Sequence, residues 1–267
     1  FEFFLSARPP VMLAVRRFPL RRGLQAGARR CFAAHDGPEP EIEVDQERKL
    51  LVIGPPAGVQ ATAGVVMLHG LGDTAKGWGQ ACFHWALSMP HVRWVLPTAK
   101  EIPVALNNGM AMPAWYDIQG LENRALEECE GIEESADVVK DLVAEKLGDV
   151  DRIVVGGFSQ GAALALFTGL TGRLSKTPAG ILCMSGYLPR PADILLNDAT
   201  KEIPISMHHG EADSMVQPEM AQMSLEHLQD MGHKNVVLRM YPNLEHGANN
   251  EEIEAVQAWL QKVIPPQ

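Results

Sequence analysis

The chain has 267 residues, 46% hydrophobic and 21% charged, an ordinary globular balance that suits one large α/β domain or two small ones. No stretch approaches the roughly eighteen consecutive apolar residues of a spanning helix, and a net charge of −10 argues against nucleic acid as the main partner, since phosphate binding needs a basic surface. Cys31, Cys82, Cys129 and Cys183 are too widely spaced for a metal or disulfide pattern; they fit a reducing compartment, with Cys183 inside an apolar run.

Charge is unevenly spread. Residues 1–36 hold seven arginines, no lysine, and only Glu2 and Asp36 as acids, a net of +5 that leaves −15 on the remainder. A chain opening on Phe1 rather than methionine is expected to be a fragment or a processed product. From Met12 onward, Met-Leu-Ala-Val-Arg-Arg-Phe-Pro-Leu-Arg-Arg reads as an organelle transit peptide, arginine-rich and acid-poor. The other reading is a disordered basic tail, or non-native sequence before Met12. Residues 1–41 are therefore set apart as a basic extension, followed by a single α/β domain over 42–267.

After the linker Gly37-Pro38-Glu39-Pro40, Leu50–Ile53 reads as a first strand, ended by Gly54-Pro55-Pro56. Val65–His69 is a continuous apolar run, as expected of a strand covered on both faces. It enters the glycine-rich loop Gly70-Leu71-Gly72-Asp73, then a helix with Trp78 and Trp85. Val92–Pro97 is the next strand. Residues 98–118 read as a long loop with Leu106, Met110, Met112 and Trp115, and loops of that length usually carry function. Glu133–Lys146 is an amphipathic helix with Ala136, Val139, Leu142 and Val143 on one face. Ile153–Val155, Gly180–Ser185, Ile205–His208 and Val236–Tyr241 complete the strands, with helices from Ala162 to about Leu170, Pro218 to Met231 and Glu251 to Val263. Strands alternating with helices imply a mostly parallel sheet covered on both faces.

Gly157-Phe158-Ser159-Gln160-Gly161 lies between a buried strand and a helix, the context in which G-x-S-x-G means a nucleophile elbow. A tight turn lifts the serine hydroxyl clear of the sheet, and only residues without bulk can flank it. The bland reading makes Ser159 an ordinary helix cap. A serine hydroxyl needs a base to take its proton and an acid to orient that base. In such enzymes the order is serine, acid, histidine. Asp213 and His246 each lie just beyond a strand, at the edge where open α/β sheets bind ligands. Glu211 is the nearest rival acid. His208 and His209 precede Asp213 and break the order, and His233 falls in a helix-to-strand turn where a solvated role is expected. The oxyanion of a tetrahedral intermediate needs preorganised N–H groups. Gln160, at a helix N-terminus, and Leu71, in the glycine-rich loop, are the candidates. That loop matches neither the dinucleotide nor the P-loop glycine pattern.

Together, Leu68-His69-Gly70-Leu71-Gly72-Asp73, Met112-Pro113-Ala114-Trp115-Tyr116-Asp117, the elbow, His209-Gly210 with Asp213, and Tyr241-Pro242 with His246-Gly247 resemble the acyl-protein thioesterase/carboxylesterase family of small α/β-hydrolases. The likeness spans about 45–265. It implies an α/β-hydrolase fold without a large lid domain, the triad Ser159, Asp213 and His246, and an oxyanion hole from Leu71 and Gln160. It also places Trp115 near the active site, with the Leu106–Trp115 loop, including Met112, and Leu71 beside an acyl-binding channel. Plain packing over the sheet is the other reading of that apolar loop. Ala162 stands where the family often has glycine, and Glu245 where a small residue is expected; a carboxylate beside a histidine raises its pKa.

The activity so implied is hydrolysis of long-chain acyl thioesters on S-acylated (palmitoylated) proteins, with no metal or organic cofactor. A lysophospholipase or general carboxylesterase is the alternative. Partners would be acylated proteins or lipid esters, with transient membrane-surface contact. A non-catalytic binder on the same fold is the competing class, but such proteins typically lack a triad member. The compartment is cytoplasmic, or mitochondrial or another organelle if the arginine-rich segment is a transit peptide. Fusing residues 12–40 to a fluorescent reporter should direct it to an organelle; diffuse cytosolic fluorescence removes the targeting reading.

Overall fold

Continuous apolar runs become interior strands because both of their faces meet helices. In the strand Ala63–Leu68, Val65 and Met67 enter one apolar layer while Val66 and Leu68 enter the other. Residues 153–155 divide in the same way, Val154 to one layer and Ile153 and Val155 to the other. The computed structural model describes residues 37–120 and 127–267. The arginine-rich segment through residue 36 lies outside the described residues.

In chain order the elements are β1 (Glu41–Asp45), β2 (Leu50–Gly54), β3 (Ala63–Leu68), α1 (Ala75–Ser88), β4 (Val92–Pro97), β5 (Glu101–Val104) and β6 (Met110–Pro113). Then come α2 (Ile132–Leu147), β7 (Arg152–Phe158), α3 (Gln160–Leu170), β8 (Gly180–Met184), β9 (Ile205–Gly210), α4 (Pro218–Asp230), β10 (Val236–Tyr241) and α5 (Asn250–Val263). Eight strands form one sheet in the order β1-β2-β4-β3-β7-β8-β9-β10. β4, β3, β7, β8, β9 and β10 pair in parallel, and only β2 runs against them. α1 and α5 cover one face, and α2, α3 and α4 the other. The chain leaves β3 for β4 on one side and returns as β7 on the other. A crevice therefore opens beyond the carboxyl ends of β3 and β7, the topological position of ligand sites in open α/β sheets.

The long segment after β4 is not a plain loop. Residues 101–113 fold back as the antiparallel hairpin β5–β6, closed through Asn108 at φ 55° and Gly109 at φ 75°. Asparagine and glycine tolerate that left-handed backbone, and Asn-Gly is a strong short-range hairpin signal. The edge strand β1 also adds to the expected elements. Its Ile42 and Val44 are exposed, and acids fill the alternate places. His233 is buried rather than solvated: Gly232 at φ 84° ends α4 tightly, and the His233 N–H returns to the Leu228 carbonyl.

α5 begins with Asn249, whose side chain caps the Glu252 N–H at 2.8 Å. The Glu252 side chain is fully buried, and neither oxygen has a hydrogen-bond partner among the described residues. Burial raises its carboxyl from 4.5 to about 8. The unfolded chain loses this proton near the ordinary value, while the folded chain holds it to about pH 8. Stability should therefore fall as pH rises through that window and stay low above it. Glu252→Gln should raise the thermal midpoint at pH 8 by several degrees, with the gain vanishing towards pH 4.5; thermal melts across that range check it.

Candidate active site

β7 ends at Phe158, and α3 starts two residues later, so Ser159 must turn the chain alone. It does so at φ 55°, ψ −119°, a conformation costly for a residue with a Cβ. Its N–H is fixed to the Met184 carbonyl at 2.8 Å. A Cβ on Gly157 would lie 2.4 Å from the carbonyl group of Gly161, and one on Gly161 would lie 2.4 Å from the Leu68 oxygen. Both contacts are with backbone, so only glycine fits. The Ser159 side chain makes no capping bond to α3.

Instead its Oγ lies 2.9 Å from His246 Nε2. His246 Nδ1 lies 2.7 Å from Asp213 Oδ2, and the other Asp213 oxygen accepts the Met215 and Val216 N–H groups at 2.9 Å each. Burial pushes the Asp213 carboxyl up. The hydrogen bond and charge of His246, with the two backbone donors, outweigh that and leave it below the ordinary value. An ionised Asp213 accepts a hydrogen bond from Nδ1–H, which leaves the Nε2 lone pair free to receive a proton from the serine. The three side chains thus form a continuous hydrogen-bond chain across three loops.

The rival groups are engaged elsewhere. His208 is bonded to Tyr241 at 2.7 Å and to Ser206 at 2.8 Å, and burial lowers its pKa to about 4. His209 Nε2 lies 2.8 Å from the Val216 carbonyl and 3.5 Å from Asp213 Oδ2, the same oxygen that His246 Nδ1 approaches more closely at 2.7 Å. Glu211 and Glu245 are exposed.

The glycine-rich loop runs directly beside the serine. A Cβ on Gly70 would approach Ser159 Cβ to 3.4 Å and the Phe158 ring to 3.3 Å. Among the described residues neither the Leu71 N–H nor the Gln160 N–H has an acceptor. Two unpaired donors, one at a helix N-terminus, suit a developing oxyanion. Leu71 and Met112 are half-buried, with Met112 against Gly72, whereas Trp115 is buried with its indole 4.9 Å from the His69 ring. Phe158 was not among the sequence candidates. Its ring packs 4.9 Å from the His246 imidazole and 5.4 Å from Trp78. Its signal was present in the variable place of the elbow motif, where an aromatic side chain has to stand beside the reacting serine.

A mostly parallel sheet, a strained serine on a strand-to-helix elbow and an adjoining histidine–aspartate pair define an α/β-hydrolase. Residues 52–264 match the phospholipase/carboxylesterase family. Acyl-protein thioesterase 1 of Mycosarcoma maydis is 42% identical over 239 residues, covering 82% of this chain and 98% of that protein. Acyl-protein thioesterase 1 homolog 1 of Dictyostelium discoideum is 32% identical, covering 76% and 92%. Among solved structures, Zea mays acyl-protein thioesterase 2 superposes with a TM-score of 0.71 at 32% identity, covering 80% of this chain and 98% of that one. The chain belongs to the phospholipase/carboxylesterase family of hydrolases.

Strain at Ser159 is testable apart from activity. Ser159→Gly should be more stable than Ser159→Ala by about 1 kcal/mol, because glycine alone relieves the positive φ. Denaturant unfolding of the two variants measures it; equal stabilities would show that the turn is unstrained.

Proposed function

We propose that the protein hydrolyses long-chain acyl thioesters of S-acylated proteins through an acyl-enzyme on Ser159. The observation that carries this reading is the unbroken hydrogen-bond path from Ser159 through His246 to Asp213. Ser159 Oγ attacks the acyl carbonyl as His246 Nε2 takes its proton. Asp213 holds the ring in the Nδ1–H tautomer and stabilises the imidazolium. The Leu71 and Gln160 N–H groups receive the oxyanion. Collapse breaks the carbon–sulfur bond, and the proton on His246 passes to the departing thiolate. Water then repeats the sequence on the acyl-enzyme, with His246 again accepting and returning the proton. No step calls on a metal or organic cofactor.

The names of the relatives support the thioester as substrate. Leu71 and Met112 are the proposed acyl-side residues, with Trp115 buried against His69 rather than lining the channel itself, and the β5–β6 hairpin supports that assignment by its apolar Leu106, Met110 and Met112. Met110 at its tip is 62% exposed, which suits transient contact with the membrane surface that presents acylated proteins. Among the described residues no helix is long and apolar enough to cross a membrane. A second reading, lysophospholipid or small-ester hydrolysis, is favoured by the family's description. It uses the same chemistry with an alcohol as leaving group.

A fluorophosphonate probe should label the wild-type protein and fail on Ser159→Ala. Folded wild-type protein that stays unlabelled would favour the non-catalytic binder. With labelling established, kcat/KM should be higher on a palmitoyl-thioester peptide than on a lysophospholipid. The reverse order would transfer the assignment to the lipid.

A further inference from the structure

The Gly70 carbonyl and the Leu71 N–H are the two ends of one planar peptide unit, so whatever aims the carbonyl also aims the N–H. The His69 imidazole grips that carbonyl. Its Nδ1 lies 2.7 Å from the Gly70 oxygen, and its Nε2 lies 2.9 Å from the Ala99 nitrogen. The Ala99 N–H can only donate, so Nε2 must be the acceptor and the ring proton must be on Nδ1, donated to Gly70. The ring is buried, and burial lowers its pKa despite the opposing influence of the Gly70 carbonyl and Asp73. A hydrogen bond at the oxygen of an amide also polarises its N–H and strengthens it as a donor.

His69 is itself held. Its carbonyl accepts the Trp115 indole N–H at 2.8 Å, and the two rings pack at 4.9 Å. The Trp115 backbone N–H donates to Gln160 Oε1 at 3.0 Å, and Gln160 Nε2 donates to the Tyr116 carbonyl at 2.7 Å. Gln160, Trp115, His69 and the Gly70–Leu71 peptide therefore form one chain of bonds. The two N–H groups assigned above to the oxyanion lie at its two ends.

We propose that His69 is a positioning residue for the oxyanion hole: its Nδ1–H, set by Ala99, aims the Leu71 N–H, and Trp115 locks His69 to the Gln160 side of the site. This rests on Ser159 being the acylated nucleophile. Trp115 then acts beneath the loop as the strut between the two donors.

Two substitutions at His69 separate aiming from simple anchoring of the loop. Asparagine places an N–H near the Nδ1 position and keeps the bond to Gly70. Glutamine places an oxygen near the Nε2 position and keeps only the bond from Ala99. The full chain and its variants are assayed on p-nitrophenyl butyrate, with active sites titrated by a fluorophosphonate, and inhibited with an alkyl trifluoromethyl ketone that forms a tetrahedral adduct. His69→Gln should lower kcat about ten- to hundredfold at unchanged KM and weaken the ketone by a similar factor, because the loss falls on the transition state. His69→Asn should recover most of both. Equal losses in the two variants, or recovery by glutamine instead, overturn the proposal. Should neither variant fold, Trp115→Phe decides: lower kcat at unchanged KM supports it, and unchanged kcat overturns it. Wild-type protein that neither labels nor turns over the ester sinks the Ser159 reading first, a result distinct from active wild-type protein whose variants fail to discriminate.

Discussion

The site depends on one close approach between backbones. The first turn of α3 lies against the end of β3, with Gly161 so near the Leu68 and His69 carbonyls that a single Cβ would overlap both. β3 cannot retreat, because it is hydrogen-bonded to β4 on one side and β7 on the other. This contact sets the elbow beside the glycine-rich loop. The helix N-terminus and the glycine-rich loop thus lie side by side next to Ser159, the arrangement on which the proposed oxyanion hole rests. The topology supplies the crevice, and the missing side chain lets it close.

A second approach of the same kind brings in the histidine. A Cβ on Gly210 would lie 2.1 Å from the Leu244 oxygen, so the loop after β10 crosses directly over the end of β9. Backbone bonds from Glu211 to Tyr241 and from Ala212 to Leu244 fasten the two loops. Asp213 and His246, 33 residues apart in sequence, meet because backbone bonds hold their two loops side by side. The order of serine, acid and histidine along the chain thus follows the order of the strands across the sheet, β7, then β9 beyond β8, then β10.

Those parts of the site that obey local rules were legible in the sequence. Gly157 and Gly161 flank a turn that excludes bulk, and Asp213 and His246 follow strands whose apolar runs are plain. The boundaries of β10 were read to the residue, since its ends are marked by Asn235 and Pro242. What stayed hidden depends on distant partners. Nothing near Trp115 says that its indole is spent on the His69 carbonyl, and nothing near His233 says that α4 and its following turn will enclose it. The β5–β6 hairpin is a different case. Asn108-Gly109 is a local signal, but the short strands around it contain Pro103 and Pro113 and lack a clear alternation. β1 was obscured by its acidic alternate positions, which suit an edge strand open to water.

Strain of the kind held at Ser159 persists only where the surroundings over-determine the backbone. Here the restraint comes from the helix that follows. Every residue of α3 is buried, all of them apolar or glycine except Gln160 and Thr168, and the helix packs between the sheet and its neighbours α2 and the loops beyond β8. Sliding such a helix by even part of a turn would unpack its whole surface. The N–H of Ser159 is fixed from the other side by Met184 on β8. The serine is therefore clamped between a strand and a helix that cannot move independently. Its hydroxyl meets His246 at 2.9 Å without any ordering of the loop at the moment of reaction. The oxyanion hole proposed for Leu71 and Gln160 would need preorganisation of this kind, because fixed dipoles require no reorientation as charge develops.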